Sequence, residues 1–383
     1  MKELQTILKA FEQTQNLGQR SAIATVVKTT GSVYRRPGAR MLLTETGQMV
    51  GAISGGCLES DVFEQAKPLL FQNSPPLVVR YDTTASDDLI WGLGLGCNGS
   101  VHVLLESLGT ESARSQLEWV ADCFQRKEPA AIATLFHVEG NVEAEIGDRL
   151  YLQPDGTVVN RIADQQLANR LLRDADRILT AGKTQVVSYP LAGGSVEGLI
   201  EVIHPPTSLL IFGAGYDAIP VVHLAKQLGW HVTVIDHRPT VATPDRFPHA
   251  DDILVCHPKE LHTHLNLNSR MVAVVMTHHY LHDQTLLRSL LPSPIQYLGV
   301  LGPKQRTQQL LADLRSDGVV PTHQQQHRLF HPVGLDIGAE TPEEIALAIV
   351  AEIQAVLAER SGGHLRSRQG SIHGEEKPCL LLV

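Results

Sequence analysis

The sequence AIATVVKTTGSVYRRPGARMLLTETGQMV at residues 22–50 occurs a second time, as AIATLFHVEGNVEAEIGDRLYLQPDGTVV at residues 131–159. The two segments share 11 identical residues in 29 aligned positions, at a constant offset of 109 and without a gap. Self-similarity at a fixed spacing is typical of a repeated structural unit. The front half of the chain is therefore predicted to contain two copies of one α+β unit.

Each copy is predicted to run strand, hairpin, helix, strand, strand. The run at 22–28 is rich in β-branched residues, and the hairpin turns at 44–47 and 153–156 end in glycine, which supplies positive φ. Residues 58–70 have the period of a helix, whereas residues 101–106 alternate as a half-buried strand does.

The repeat separates positions that serve the fold from positions that serve chemistry. Both copies keep Gly31, Gly38, Arg40, Leu43 and Gly47, counted in the first copy's numbers. These residues are predicted to belong to the scaffold. Residues that only the first copy carries are the candidates for function.

A glycine pair before a cysteine is present in the first copy only. Residues 54–59 read SGGCLE, and the second copy has ADQQLA at residues 163–168. Glycines let a ligand approach the backbone closely, and a helix start favours a thiolate over a thiol. A tight turn around a small buried cysteine is the alternative. The candidate binding residues in this segment are Gly55, Gly56, Cys57 and Glu59.

Two further features distinguish the first copy. Arg35 and Arg36, a basic spot able to bind a small anion, become Ala144 and Glu145 in the second copy. Cys97 lies in a glycine-rich loop that the second copy shortens to a few residues. All three residues are therefore added to the candidate site.

Composition excludes several classes of protein. The 383 residues carry a net charge of −9, which argues against a general binder of nucleic acid or anionic membranes. The amphipathic start of the chain is no signal peptide, and no apolar run reaches the roughly 18 residues of a membrane span. The five cysteines are odd in number and form no CxxC, which indicates reduced thiols and a cytoplasmic protein.

The back half has the pattern of a dinucleotide-binding fold. An apolar strand from Ser208 precedes GAGYDA, in which Gly213 and Gly215 open a helix, and the next strand ends at Asp236. This acid follows Gly215 by 21 residues, close to the spacing of a ribose-binding carboxylate. The pattern predicts a Rossmann-like, doubly wound parallel sheet, with Gly213, Gly215 and Asp236 as candidate ligand residues.

Strands and helices continue to alternate beyond Asp236. A sheet in the usual order 3-2-1-4-5 places His278 opposite Gly213, in the crevice where ligands bind. The group His278, His279, His282 and Asp283 could hold a metal, but contact with an anionic ligand or ordinary loop polarity is favoured. We therefore assign His278 to ligand binding and no residue to a metal.

The chain is predicted to divide into four parts: residues 1–108, the degenerate second copy at 109–205, the Rossmann-like domain at 206–330, and a glycine-rich loop, helix and tail at 331–383. Pro205 and Pro206 form the linker. Thr341, Pro342 and Glu344 predict a capping box, with the last helix running to about residue 360.

Together these motifs resemble the XdhC/CoxI family, accessory proteins of xanthine dehydrogenase and related molybdenum hydroxylases. The resemblance covers residues 1–106 and 206–360, while residues 109–203 are interpreted through the internal repeat. The segments that carry it are GSVYRRPGARM, SGGCLE, GLGLGCNGSVHVLLE, LGVLGPKQR and HPVGLDIGAETPEEIALAIVAEI.

The resemblance implies a non-enzymatic chaperone that binds molybdenum cofactor (molybdopterin) as cargo. Such a protein supports sulfuration of the cofactor with a cysteine desulfurase and inserts it into an apo molybdenum hydroxylase. Cys57 and Cys97 suit contact with molybdenum or sulfur, and Arg35, Arg36 and backbone N–H groups suit the phosphate and pterin. The alternatives are an NAD(P)-dependent oxidoreductase that uses the Rossmann-like domain, or a platform for dimerisation or partner docking. No catalytic set is assigned, and a homodimer is left open.

Overall fold

The protein is described from a computed structural model, which describes residues 1–72, 74–82 and 99–368. The chain forms two compact units, and the division lies between Pro205 and Pro206. Cys97 and Cys379 lie outside the described residues. The predicted fold class is confirmed: antiparallel sheets with helices come first and a parallel Rossmann-like sheet follows. The four predicted domain boundaries stay a prediction.

The first copy forms a five-stranded antiparallel sheet in the order β3-β2-β1-β5-β4. Its elements are α1 (Lys2–Asn16), β1 (Ser21–Gly31), β2 (Arg40–Thr44), β3 (Met49–Gly51), α2 (Glu59–Phe71), β4 (Leu77–Asp82) and β5 (Gly99–Ser107). Helix α2 packs its buried side, including Val62 and Leu69, against the inner face of this sheet.

The second copy repeats this sheet in the order β8-β7-β6-β10-β9. Its elements are α3 (Glu111–Arg126), β6 (Ala130–Gly140), β7 (Arg149–Leu152), β8 (Val158–Asn160), α4 (Gln165–Ala181), β9 (Gln185–Leu191) and β10 (Gly194–Ile203). Even the β-bulge recurs: the pairing skips Val27 in β1 and its counterpart Phe136 in β6. Equal strand order and an equal bulge agree with the repeat in the sequence.

The second unit is built on a six-stranded parallel sheet in the order β13-β12-β11-β14-β15-β16. Its strands are β11 (Ser208–Phe212), β12 (His231–Asp236), β13 (Asp252–Val255), β14 (Met271–Val275), β15 (Tyr297–Val300) and β16 (Leu329–Phe330). Its helices are α5 (Ala218–Gln227), α6 (Leu261–His264), α7 (Tyr280–Leu290), α8 (Lys304–Ser316), α9 (His323–His327) and α10 (Pro342–Leu357). The predicted order 3-2-1-4-5 is confirmed, and β16 extends the sheet by one strand.

The last helix begins as the sequence predicts. Thr341 accepts the backbone N–H of Glu344, whose side chain accepts the backbone N–H of Thr341, so the capping box is confirmed. The helix ends at Leu357, three residues before the expected end, and Glu359 has a φ of 54°. A left-handed residue cannot continue a right-handed helix.

Two buried ion pairs join the two copies reciprocally. Arg40 of the first copy donates to both carboxylate oxygens of Glu201 in the second, at 2.8 and 2.6 Å. Arg149, the counterpart of Arg40, donates to Glu106 of the first copy at 2.5 Å. The Arg40 side chain is 1% exposed and that of Glu201 is 5% exposed. Since Arg40 and Arg149 occupy equivalent positions, each copy supplies the same contact to the other.

The shared glycines make room for these pairs. A Cβ on Gly38 would lie 2.7 Å from Oε1 of Glu201, and one on Gly147 would lie 3.1 Å from Oε1 of Glu106. Both glycines also have positive φ, 96° and 94°. These contacts explain why both copies keep the glycine two residues before the arginine, in agreement with their prediction as scaffold.

Breaking one pair is expected to destabilise the first unit strongly. Arg40→Met leaves Glu201 charged and buried without its partner, and such a loss costs about 3–5 kcal/mol. The exposed pair Lys67–Glu64 provides the control, because Lys67→Met should cost less than about 1 kcal/mol. Urea denaturation followed by circular dichroism measures both. Equal stability of the two variants would contradict a central role for the Arg40–Glu201 pair.

Candidate functional site

The segment before α2 in the first copy is a turn built around one hydroxyl. Ser54 Oγ accepts the backbone N–H groups of Gly56, Cys57 and Leu58 at 3.1–3.2 Å. The same hydroxyl donates to the carboxylate of Glu59 at 2.5 Å. The Cys57 thiol is half-buried and its Sγ lies 3.5 Å from Ser54 Oγ. We call residues 54–59 the cysteine turn.

Glu59 closes the cysteine turn from the other side. Its carboxylate accepts the backbone N–H groups of Ile53, Ser54 and Leu58 at 2.8–3.2 Å. Burial would raise the pKa of Glu59, but the hydrogen bonds from Ser54 and the backbone outweigh it and lower the pKa below its ordinary value. Glu59 is therefore a carboxylate at neutral pH and holds the turn that presents Cys57.

The second copy shows what the glycine pair changes. Its helix α4 begins at Gln165, the counterpart of Gly56, and is capped by the side chain of Asp164. In the first copy the helix begins only at Glu59, and Gly56 has a φ of 108°. A residue with positive φ interrupts a right-handed helix. The glycines thus replace one turn of helix with the cysteine turn.

Two sequence expectations about this turn need correction. The sequence predicts Cys57 at the helix start, but the residue lies two positions before the first helical residue, because Gly56 delays the helix. Backbone N–H groups are predicted to bind an anion, but those of residues 56–58 are bonded to Ser54 and Glu59. Ser54 belongs to the segment that only the first copy carries, and its position three to four residues before Cys57 and Leu58 is typical of a capping serine, the role that it has here.

The basic turn at residues 34–37 lies beside the cysteine turn. A Cβ on Gly55 would contact the ring of Tyr34 at 3.7 Å, so Tyr34 packs over Gly55. Arg35 forms an ion pair with Glu3 of α1, and the other oxygen of Glu3 accepts the backbone N–H of Ala52 at 2.7 Å. Arg35 is half-buried in this contact, whereas Arg36 is exposed. No pattern in the sequence points to Glu3, which is distant in the chain.

The glycines of the second unit lie where the sequence predicts. Gly213, with a φ of 119°, turns the chain after β11 against the backbone of Met276 at the end of β14. Gly215 leaves room for the side chains of Asp217 and His278. His278 Nε2 lies 2.8 Å from Asp217 Oδ2. The predicted juxtaposition of Gly213–Gly215 with His278 is therefore present at this edge of the sheet.

Asp236 is engaged by the protein itself. Its carboxylate accepts the backbone N–H of Ala214 at 2.8 Å and both Nε and a terminal nitrogen of Arg238 at 2.9 and 2.8 Å. Burial would raise the pKa of Asp236, but the bonds from Arg238 and Ala214 lower it to about 2. Both oxygens are already bonded, so this geometry does not present Asp236 as a ribose-binding carboxylate.

Histidines gather beside this crevice, but not in the pairs that the sequence suggests. His282 lies between His237, His257 and His279, with ring centroids 4.5, 5.5 and 4.1 Å away. Burial, followed by the neighbouring histidines, lowers the pKa of His282. Asp283 is buried and accepts from Arg306 at 2.6 Å. Among residues 1–72, 74–82 and 99–368, no three His, Cys, Asp or Glu side chains form a group able to hold a metal ion.

Comparisons with known proteins place the chain in a family. A model described as the XdhC and CoxI family matches residues 15–82 and again residues 123–190, and the XdhC Rossmann domain matches residues 209–353. The chain therefore belongs to the XdhC and CoxI family, and the predicted resemblance is confirmed. The double match follows the internal repeat, and it extends the resemblance into the second copy.

Similar proteins that cover most of the chain agree with this family assignment. The chain is 35% identical to a probable xanthine dehydrogenase subunit of Bacillus subtilis, over 92% of this chain and 97% of the relative. It is 20% identical to the molybdenum cofactor insertion chaperone PaoD of Escherichia coli, over 98% and 91%. A crystal structure described as a xanthine dehydrogenase from Bacillus halodurans superposes with a TM-score of 0.74 and 30% identity, covering 92% of this chain and 96% of that one.

In the described part of the chain, no helix combines the length and apolarity needed to span a bilayer.

The cysteine turn should loosen when its carboxylate is removed. Glu59→Gln replaces an ionised acceptor of backbone N–H groups, and the loss of a charge-assisted bond should make local opening about tenfold more frequent. Alkylation of Cys57, followed by mass spectrometry of its peptide, should accelerate to a similar extent. Glu64→Gln on the same helix is the control, since Glu64 pairs with the exposed Lys67. An unchanged rate in Glu59→Gln would contradict this role of the carboxylate.

Asp236 should make the stability of the second unit sensitive to acid. Its folded pKa of about 2 lies below the ordinary value of about 3.9. Its stabilising contribution is therefore nearly complete above about pH 5 and is lost progressively as the pH falls through about 2. Asp236→Asn should lower the urea midpoint at pH 7 and flatten its dependence on pH between about 4 and 2. The exposed Asp336→Asn should keep the wild-type profile, and an identical profile in both variants would refute the assignment.

Proposed function

We propose that this chain is a maturation factor that binds molybdenum cofactor and delivers it to a xanthine dehydrogenase-type molybdenum hydroxylase. The observation that carries the proposal is the cysteine turn. Only the first copy has it, and its helix is shortened there to present a half-buried thiol. Since the second copy folds without the cysteine turn, the turn is not needed for the fold, and binding of a ligand best explains its presence in the first copy.

The thiol suits the chemistry of this cargo. Molybdenum with its dithiolene and sulfido ligands is soft, and a cysteine sulfur is a soft ligand. We propose that Cys57 contacts the metal or its sulfur, and that the thiol supports sulfuration when a cysteine desulfurase provides the sulfur. Cys97, outside the described residues, is proposed as its companion.

The phosphate of the cofactor requires donors close to Cys57. The backbone N–H groups of residues 56–58 in the cysteine turn are hydrogen-bonded to Ser54, so we assign this role to Arg35 and Arg36. Arg36 is exposed beside the turn, and a guanidinium binds phosphate by two parallel bonds. Arg35 is proposed to take part by exchanging Glu3 for the phosphate.

The names of the relatives support the same proposal. One relative is called a molybdenum cofactor insertion chaperone and another is called a probable subunit of xanthine dehydrogenase. An apo molybdenum hydroxylase is therefore the proposed partner, together with the desulfurase, and the cytoplasm is the proposed location. A homodimer is also part of the proposal, to be tested by light scattering. The crevice of the second unit does not favour an NAD(P)-dependent oxidoreductase, because Asp236 is bonded to Arg238.

Co-purification tests the proposal. Native protein from cells that make the cofactor should carry molybdenum and pterin in about equal molar amounts. The pterin is measured by the fluorescence of its oxidised form. Cys57→Ala should retain at least tenfold less of both, and a Cys57→Ala, Cys97→Ala variant should not mature the partner hydroxylase. Cys123→Ala is the control, since Cys123 is buried and bonded to backbone carbonyls.

Retention of the cofactor at the wild-type level by the double variant, with normal maturation of the hydroxylase, would overturn the proposal. Equal melting temperatures of all variants show that a loss of cofactor does not come from unfolding.

A further inference from the structure

The second unit has a cavity of about 650 Å³ that the proposed function does not use. It lies between α5, the loop at residues 245–249 and the start of α10. Ligand pockets typically measure about 300–1,000 Å³. The lining combines flat rings from Tyr216 and Phe247 with the aliphatic side chains of Ile219 and Leu347. The cavity therefore has the size and the apolar walls of a small-molecule site.

Polar side chains around this cavity are open to a ligand. Within the described residues, Asp245 and Glu343 make no side-chain hydrogen bond or ion pair, and the Tyr216 hydroxyl has no partner. The rings of His223 and His249 contact each other at 5.4 Å. The crevice beside Gly213 is different, because its carboxylates are paired with arginine or histidine. The cavity thus presents acceptors that a ligand can use.

The groups present favour one class of ligand. Two carboxylates accept hydrogen bonds and donate none. Arg246 is the cation among the lining residues, and its guanidinium lies 5.8 Å from the centre of the Phe247 ring. A polyanion would face two like charges, and a plain hydrocarbon would cover the exposed carboxylates of Asp245 and Glu343 without offering them a donor. A flat ring that carries N–H donors can pack against the apolar lining and donate hydrogen bonds to the two carboxylates.

We propose that this cavity binds a planar, amino-substituted nitrogen heterocycle. Asp245 and Glu343 accept from its amino and ring N–H groups, and the exposed ring of Tyr216 packs against one of its faces. Pterins and guanine share this donor pattern, so either the pterin of the cargo or a purine nucleoside could be the source. The proposal goes beyond the proposed function, because no residue of the cysteine turn lines the cavity. Only its pterin source rests on that function.

Titration calorimetry with the full chain tests the proposal, using 6-hydroxymethylpterin, guanosine and adenosine as separate probes. Removing a charged acceptor should weaken binding about tenfold, so Asp245→Asn and Glu343→Gln should each raise the Kd to that extent. Glu340→Gln makes the same change on an exposed residue outside the cavity and should bind like wild type. Leu347→Trp should block binding by filling the cavity, and Leu347 is 52% exposed, so the fold should tolerate it.

Tighter binding of the pterin identifies the cargo as the source, and tighter binding of guanosine identifies a purine, while adenosine, which lacks the ring N–H donor, should bind more weakly than either. Either result supports the proposal when the cavity variants weaken binding and Glu340→Gln does not. Absence of binding by all three probes overturns it, as does equal binding by wild type, Glu343→Gln and Leu347→Trp. Cofactor retention that depends on Cys57 while the cavity variants bind normally would refute this inference alone and leave the proposed function standing.

Discussion

The reciprocal ion pairs between Arg40 and Glu201 and between Arg149 and Glu106 are the contacts on which the first unit depends. A charge buried without its partner is strongly destabilising, so each copy keeps its arginine and the glycine that leaves room for the carboxylate. Gln116 of α3 bonds to Glu106 at 3.1 Å and lies 3.4 Å from Arg40, and so connects the two pairs. These ion pairs hold the two copies together. Residues of one copy that lie outside this contact could therefore diverge in sequence without separating the copies. The cysteine turn is the largest such change: glycines shorten α2, and Ser54 and Glu59 bond the N–H groups that the lost helical turn releases.

The second unit also contains two kinds of carboxylate: those that have a hydrogen-bond partner within the protein and those that do not. At the crevice, Asp236 is bonded to Arg238, Asp217 to His278 and Asp283 to Arg306. These pairs hold the loops after three strands in place. The cavity beside α10 has the opposite character, since Asp245 and Glu343 there have no partner in the described residues. The carboxylates without a partner in the described residues therefore lie beside α10, and not at the crevice where Rossmann-like sheets usually bind ligands.

Sequence patterns predicted most of the fold, because repeats, hydrophobic periodicity and turn glycines are local signals. The strand order of the second unit followed from the handedness and order of alternating strands and helices. The pairing of side chains was not predictable in this way. Arg35 meets Glu3 from 32 positions earlier, and Arg238 turns back onto Asp236. The same holds for His237 and His257, which join His282 only after the sheet brings three loops together. Cys57 is a candidate because the second copy has Gln166 at the equivalent position.

The central claim is that the first copy became a binding site on a scaffold that the second copy retains. Exchanging the cysteine turn for its counterpart tests this most directly: SGGCLE at residues 54–59 is replaced by ADQQLA, the sequence at residues 163–168. The second copy demonstrates that this scaffold accommodates ADQQLA as the start of a helix. We expect a folded protein with an unchanged or higher melting temperature and slightly more helix, which no longer retains molybdenum and pterin. A folded exchange variant that still carries the cofactor at the wild-type level would contradict the claim.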